Sequence, residues 1–483
     1  MGDAIRFLLG EDEHEISGVS PTMTVLEWLR GHARRRGTKE GCAEGDCGAC
    51  TVVLAEPGGA GGLRTWPVNS CIHFIPALHC RQLLTVEDVA TPDGALHPVQ
   101  QALVDLHGSQ CGFCTPGFVM QLYAGWLAGS LTDRAAVKDW LAGNLCRCTG
   151  YGPIIEAGLA AGRADGPDTA RRAATARRLD TLDDGRMLDL RHEDQRWLTP
   201  RTSDELARVY ADNPDAILVS GATDVGLWVT KQHRRLTTLI DVTRVSDLAE
   251  IRDEEEALVI GGAAKLAAAH GPLARLSPDL GELMRRFASI QIRSAGTVGG
   301  NIANGSPIGD LAPALIALGA QLSLRHGDRE RTIALEDFFI DYGRQDRAPG
   351  EFVAAISIPR PGATSRFACY KLSKRFDQDI SAVMGAFRID MTEGRVTAAR
   401  IAFGGMAATP RRACNAEAAL IGTTFDDEAV ERACAELAAD FAPITDMRAS
   451  ATYRLESAAN LLRRFHLEVS GAPTSATRVW ELA

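Results

Sequence analysis

The chain has no excess of positive charge, no long apolar run and no internal repeat, and each absence removes a class of function. Its 52 Lys and Arg stand against 62 Asp and Glu, a formal net charge of −10 at pH 7. Nucleic acids and anionic membrane surfaces both select basic patches, so neither is the expected partner. No apolar stretch approaches the ~20 residues that span a bilayer. Residues 1–14 carry Asp3, Glu11, Asp12 and Glu13 in place of the apolar core of a secretory signal, so a cytoplasmic location is expected. Low-complexity tracts and the G-x-G-x-x-G dinucleotide fingerprint are also missing.

What is present is cysteine. Nine of the twelve fall within the first 148 residues: Cys42, Cys47, Cys50, Cys71, Cys80, Cys111, Cys114, Cys146 and Cys148. In a reducing compartment such clustering means metal or redox chemistry rather than disulfides. The 483 residues suggest about three domains, and 45% hydrophobic with 24% charged residues is ordinary for a soluble globular protein.

The texture of the chain changes three times. Residues 1–85 read as a small mixed β-grasp domain, with strands near 4–9 and 50–54, a turn at 58–62, and a helix opened by the capping box Thr24-Val25-Leu26-Glu27 and stopped by Gly37. Residues 86–162 read as four helices. Thr115 caps the second, with Pro116 at its first position, and Thr132 caps the third, which ends at Gly143. Residues 163–195, rich in Arg, Asp and Ala, read as an interdomain linker. From 196 to 365 the pattern is α/β, with strands near 217–219, 239–242 and 258–260 and a helix over 310–318. Residues 366–483 read as a smaller α+β domain, with strands over 381–389 and 396–403 and helices near 413–421 and 426–440. The expected fold class is therefore multidomain α+β.

Two thiol motifs carry chemistry. GCAEGDCGAC at 41–50 with Cys71 has the C-x4-C-x2-C…C spacing of plant-type [2Fe–2S] ligation. Its glycines allow tight turns and let backbone N–H groups approach sulfur. QCGFCTPG at 110–117 with NLCRCTGY at 144–151 supplies four more thiols, as C-x2-C and C-x-C at helix ends, for which zinc is a serious rival. Cys80 fits neither pattern and reads as a buried thiol. Two runs of small residues, SGATD at 220–224 and AGTVGGN at 295–301 with SPIGD at 306–310, could bring N–H groups to a pyrophosphate or could be ordinary turns.

CGFCTPG followed by NLCRCTGY resembles the helical [2Fe–2S] domain of the xanthine dehydrogenase family of molybdenum hydroxylases. The resemblance extends over nearly the whole chain except 163–195. It implies a ferredoxin-like [2Fe–2S] domain held by Cys42, Cys47, Cys50 and Cys71, and a second [2Fe–2S] cluster held by Cys111, Cys114, Cys146 and Cys148. Gln110 and Cys148 match positions beside the family's molybdopterin. The small-residue runs resemble the family's FAD loops. Leu218, Val219, Ser220, Gly221, Ala222, Thr223 and Val225 match the first loop, and Thr297, Gly300, Asn301, Asn304 and Asp310 the second. Phe287 matches an aromatic residue near the isoalloxazine, Val353 and Lys371 match further flavin contacts, and the charged loop over 371–380 matches a mobile loop near the nicotinamide site.

The resemblance implies electron flow from molybdenum through both clusters to FAD and on to NAD+, with no catalytic side chain needed here. Because the chain ends at Ala483, a separate large molybdopterin-binding subunit is expected, in an (αβ)2 heterotetramer acting on hypoxanthine and xanthine. The alternatives are the equivalent subunit of a hydroxylase for aldehydes, N-heterocycles or carbon monoxide, a free-standing ferredoxin–flavin protein, and a zinc–thiolate scaffold.

Overall fold

Ile5, Phe7 and Leu9 fall on one face of a strand, and this period-two pattern becomes an inner strand of the first sheet. The computed structural model describes residues 2–58, 62–91 and 93–478. Strands β1 (Ile5–Leu9), β2 (Asp12–Ile16), β3 (Thr51–Pro57), β4 (Leu63–Asn69) and β5 (Gln82–Leu84) form a mixed sheet in the order β2-β1-β5-β3-β4, with β1 and β5 parallel. Helix α1 (Val25–Gly31) lays Val25, Trp28 and Leu29 on it, in a β-grasp arrangement. The capping box forms: Thr24 Oγ1 accepts the Glu27 N–H at 3.1 Å, and the Glu27 carboxylate accepts the Thr24 N–H at 2.8 Å. The helix stops at Gly31, not Gly37. Arg34 takes the left-handed turn (φ 57°), and the Arg35 N–H returns to the Leu29 carbonyl. The turn expected at 58–62 falls largely outside the described residues.

Four helices follow: α2 (Pro98–Asp105), α3 (Thr115–Leu127), α4 (Arg134–Leu141) and α5 (Gly152–Ala161). Val99, Leu103, Phe118, Leu122, Val137, Leu141 and Ile154 pool into one core. Two cap expectations shift by one residue. Cys114, not Thr115, precedes the first turn of α3, so Pro116 stands at its second position. Asp133, not Thr132, caps α4, its carboxylate accepting the Ala136 N–H at 2.9 Å.

The linker expectation for 163–195 is corrected. Helix α6 (Thr169–Leu182) and strand β6 (Leu188–His192) occupy most of it. Its few apolar residues share a face: Ala176, Leu179 and Leu182 are buried, and Leu179 and Leu182 meet Leu8. Arg171 and Arg178 both pair with Glu11. Overall composition conceals this spacing. Strand β6 opens a four-stranded sheet with β7 (Gln195–Thr199), β8 (Ile217–Val219) and β9 (Thr238–Asp241), in the order β6-β7-β9-β8 and flanked by α7 (Ser203–Asp212) and α8 (Val225–Thr230). All of this lies in one compact unit, Met1–Ser246 with Ala288–Gly296. Within it, Trp197, Val219 and Leu239 share a core with Phe7 and Phe74.

The second unit is Asp247–Phe287 with Thr297–Ala483, so the division of the chain runs through the segment expected as one FAD domain at 196–365. It begins with β10 (Ile251–Asp253), β11 (Ala257–Gly261), α9 (Leu266–Leu276) and α10 (Pro278–Arg286). The chain returns to the first unit as α11 (Ile290–Ala295). The second unit resumes with α12 (Val298–Asn304), α13 (Leu311–Leu318), β12 (Gln321–His326), β13 (Arg329–Ala334), β14 (Phe339–Asp341), β15 (Arg344–Gln345) and β16 (Phe352–Pro359). An antiparallel sheet, β10-β11-β16-β12-β13, backs the helices, and α13 is apolar and buried on every side. Strands β17 (Ser365–Leu372), β18 (Val383–Thr392), β19 (Arg395–Gly404) and β20 (Arg411–Arg412) make a last antiparallel sheet under α14 (Cys414–Leu420), α15 (Asp427–Asp440) and α16 (Ala451–Val469), before the short α17 (Thr474–Thr477). Lys371 lies within β17, so the charged loop begins after Leu372.

Candidate functional site

The first thiol set is wrapped by its own loop. The N–H groups of Asp46 and Cys47 each donate to Cys42 Sγ at 3.3 Å. Gly45 and Gly48 hold positive φ, and Asn69 Nδ2 donates to the Gly45 carbonyl at 2.8 Å, pinning the loop to the end of β4. Cys50 and Cys71 are buried, their sulfurs 3.3 Å apart. Cys47 and Cys71 donate to the Cys42 sulfur, which lowers the Cys42 pKa and raises theirs.

The second set lies on helix ends. Cys111 and Cys114 precede α3, and Cys146 and Cys148 precede α5. Tyr151 turns the chain with φ 66°, and its hydroxyl accepts the Cys146 N–H at 3.0 Å. Burial would raise the Cys146 thiol, but donation from the Thr149 hydroxyl (3.2 Å) and the Cys148 N–H (3.4 Å) brings it down to about 7. Burial and a bond to Cys146 push Cys114 up to about 12. Cys111 bonds to Cys148 and raises it, and both are exposed.

Among the described residues no three His, Cys, Asp or Glu side chains close on one point as a single-ion site. In the first set the sulfurs run in a chain, Cys47–Cys42–Cys71–Cys50, and in the second they meet in two pairs, Cys114 with Cys146 and Cys111 with Cys148. Four thiols gathered in this way would suit a dinuclear iron–sulfur centre, which takes two thiolates at each iron. Backbone N–H groups already aimed at sulfur complete the fit. The sets also meet each other: the Leu145 N–H donates to the Cys47 carbonyl at 3.0 Å. Cys80 is buried, as expected, and donates to the Leu182 carbonyl.

The first run of small residues lies in the first unit; the second begins there, with Ala295 and Gly296, and continues in the second unit from Thr297. In the first, Leu218 and Val219 end β8, and Ser220, Gly221, Ala222 and Thr223 form the loop into α8, which starts at Val225. Gly221 (φ 81°) and Ala222 (φ 58°) are both left-handed. A Cβ on Gly221 would stand 2.0 Å from the Ala295 carbonyl oxygen, so glycine is required there.

In the second unit, Thr297 caps α12 by accepting the Gly300 N–H at 3.0 Å, and Gly300, Asn301 and Asn304 lie along that helix. Val353 on β16, Gly262 and Gly299 touch backbone to backbone: a Cβ on Gly262 would meet the Val353 carbonyl at 2.2 Å, and one on Gly299 the Gly262 carbonyl at 2.4 Å. Asp310 and Lys371, matched separately to flavin contacts, form a buried ion pair at 2.6 Å, and Ser381 bonds to both. Phe287 follows α10 and packs against the core of this unit. Sequence reasoning missed Arg286. It donates to the Lys371 and Phe376 carbonyls, at 3.2 and 3.0 Å, and stacks on the Phe376 ring, anchoring the loop after β17. Its neighbour Arg285 in α10 conceals it in the sequence.

The chain matches three family models. Residues 85–159 match a [2Fe-2S] binding domain, 191–361 an FAD binding domain in molybdopterin dehydrogenase, and 368–469 the CO dehydrogenase flavoprotein C-terminal domain. It is 33% identical to a xanthine dehydrogenase of Drosophila pseudoobscura pseudoobscura over 93% of its own length, and spans 38% of that relative. Among solved structures, a reconstituted CO dehydrogenase chain from Oligotropha carboxidovorans superposes with TM-score 0.51 at 32% identity, over 55% of this chain and 94% of that one. A chain of quinoline 2-oxidoreductase from Pseudomonas putida 86 gives TM-score 0.52 at 26% identity, over 57% and 96%. The class is that of iron–sulfur flavoproteins. The chain belongs to the molybdenum hydroxylase family and carries that family's [2Fe–2S]- and FAD-binding domains.

Proposed function

We propose that this chain is the electron-transfer part of a xanthine dehydrogenase. In this reading Cys111, Cys114, Cys146 and Cys148 hold the [2Fe–2S] cluster nearest a molybdopterin on a large partner subunit. Cys42, Cys47, Cys50 and Cys71 hold the next cluster. Leu218 to Thr223 and Val225, with Phe287, Thr297, Gly300, Asn301, Asn304, Asp310, Val353 and Lys371, bind FAD, and the Asp310–Lys371 ion pair braces the second loop. NAD+ takes the electrons as hydride, and two heterodimers pair.

The observation that carries the proposal is that the two four-thiol sets share one unit and meet through the Leu145–Cys47 hydrogen bond. When bound, the clusters supply one-electron steps and FAD converts them to a two-electron transfer. The protein contributes sulfur ligands, N–H donors to them, and burial. Apolar side chains exposed around the second set, Leu96, Val104, Leu106 and Phe113, suit a docked partner subunit.

The test is purification with metal analysis. About two irons per cluster with acid-labile sulfide, FAD and a molybdenum-containing partner support the reading; zinc without sulfide sinks it. Asn301→Trp should deplete FAD and leave iron in place. The likeness to CO dehydrogenase and quinoline oxidoreductase chains favours a second reading, the same role in a hydroxylase for another substrate. Flavin reduction by xanthine, set against carbon monoxide and quinoline, separates the two.

A further inference from the structure

Glycines bring the loops of the two thiol sets into backbone contact. A Cβ on Gly48 would lie 2.4 Å from the Gly143 carbonyl oxygen, and one on Gly117 would lie 2.3 Å from the Gly48 carbonyl oxygen. No larger residue permits that approach. At this seam the Leu145 N–H meets the Cys47 carbonyl at 3.0 Å. Cys47 belongs to the first set, and Leu145 is covalently joined to Cys146 of the second. One hydrogen bond therefore completes a continuous route from one sulfur ligand to another.

A buried amide network closes the seam. Asn144 Nδ2 donates to the Gly48 carbonyl at 3.0 Å. Gln291, reaching in from α11, donates through Nε2 to Asn144 Oδ1 at 2.8 Å and to Thr51 Oγ1 at 3.1 Å. The Thr51 hydroxyl donates to the same Gly48 carbonyl at 2.6 Å. Gln291, Asn144 and Thr51 are 0%, 2% and 1% exposed. Burying three polar side chains is costly unless they are paired, and apolar residues would fill the space at less risk. What the amides add is a fixed register between two loops and a helix that lie far apart in sequence. Helix α11 also supports the first small-residue loop, because the Ala295 carbonyl occupies the space that Gly221 leaves open.

We propose that Asn144 and Gln291 are positioning residues for one-electron transfer between the two centres. They hold the Cys47–Leu145 hydrogen bond in place without touching either thiol set through their own side chains. The inference rests on the assignment of the eight cysteines as cluster ligands. One electron leaves the centre held by Cys111, Cys114, Cys146 and Cys148, which is oxidised, and arrives at the centre held by Cys42, Cys47, Cys50 and Cys71, which is reduced. No bond forms or breaks and no proton moves.

The experiment is low-temperature EPR of the full chain reduced with dithionite, on the native protein and on Gln291→Met, Asn144→Asp and Gln121→Met. Gln121 is an equally buried glutamine in α3 whose amide donates to the Trp140 carbonyl and not to a group of the Asn144–Gln291 network. It controls for the general cost of losing a buried amide. The native chain should show two cluster signals split by their magnetic interaction. Gln291→Met and Asn144→Asp should keep both signals and the native iron content but lose the splitting, while Gln121→Met keeps it. Should Gln291→Met fail to load iron, Gln291→Asn, which keeps the amide and shortens its reach, takes its place under the same criterion. Native splitting in the iron-loaded seam variants overturns the positioning role and leaves the cluster assignment standing. Equal loss in Gln121→Met also overturns it. A native chain with no iron overturns the cluster assignment itself, and this inference with it.

Discussion

The two thiol sets are held in opposite ways. The first is enclosed: Cys50 and Cys71 are buried, the loop carries its own glycines, and β4 pins it through Asn69. The second sits at the ends of α3 and α5, with Cys111 and Cys148 exposed. An enclosed set is specified by local sequence, because one loop must supply spacing, turns and N–H donors together. An exposed set is specified by helix packing, because its two halves are brought together only when the bundle forms. In the proposed relay the enclosed set would be the shielded inner end and the exposed set the end that faces the partner subunit.

The sharpest way to break the comparison is to remove one ligand from each set. Cys148→Ser should abolish one EPR signal and leave the other, with little change in melting temperature. Cys50→Ser should abolish the other signal and also lower the melting temperature, because Cys50 packs into a small core with Leu26, Cys71 and Ile72. Loss of both signals in either variant would show that the sets do not assemble independently.

The next largest effect contrasts two glycines of the second set. Gly117→Ala places a Cβ 2.3 Å from the Gly48 carbonyl oxygen and should destabilise the first unit by about 3 kcal/mol, since a backbone must shift. Gly112, at φ 83°, faces open space, so Gly112→Ala pays only for its left-handed conformation, about 1 kcal/mol. Urea denaturation of both variants measures the difference. Equal costs would mean that the seam between the sets is loose.

Acid should destabilise the regions that carry both sets, through one buried histidine in each. Burial holds His97 down to about 4; its Nδ1 caps α2 by accepting the Val99 N–H. Burial and the neighbouring Arg244 hold His79, in the β-grasp region, to about 4 as well. The unfolded chain takes up these protons near pH 6.5, the folded chain only near pH 4. The unfolded state therefore binds more protons between the two values, and stability falls as pH drops through that window. Each histidine accounts for about 2 kcal/mol after allowance for solvent screening. His97→Asn keeps a capping side chain and removes the titration. Denaturation midpoints at pH 7 and pH 4.5 should then differ by less than in the native chain. An unchanged difference would assign the acid sensitivity elsewhere.

Much of this architecture is legible in the sequence, for reasons that differ by region. The Thr24–Glu27 box, the strands near 217 and 258 and the helix after Asp310 rest on local signals, and local signals survive folding. The first thiol set is equally local. Residues 163–195 misled because three apolar residues of α6 at helical spacing outweigh a polar average. The seam was invisible because its glycines, Asn144 and Gln291 come from separate segments, and only the fold shows which backbone each glycine admits. Asp310 and Lys371, matched individually to a ligand, prove to be each other's partner.

The smallest effect tests how an exposed set is tuned. The Thr149 hydroxyl donates to Cys146 Sγ at 3.2 Å and is the largest influence that stabilises this sulfur as thiolate. Such a bond favours the more negative sulfur of the reduced cluster, so removing it should lower the reduction potential. Thr149→Val deletes the hydroxyl at nearly constant volume. A neutral hydrogen bond is worth on the order of 1 kcal/mol, which for one electron is about 40 mV. Redox titration followed by EPR should therefore show one cluster shifted negative by about that amount and the other unmoved. The Cys42 sulfur receives backbone N–H groups that no side-chain substitution removes, so the enclosed set has no equivalent variant. If the potential stays in place, the hydroxyl bond does not persist once iron is bound, and solvent rather than Thr149 sets the potential of the outer centre.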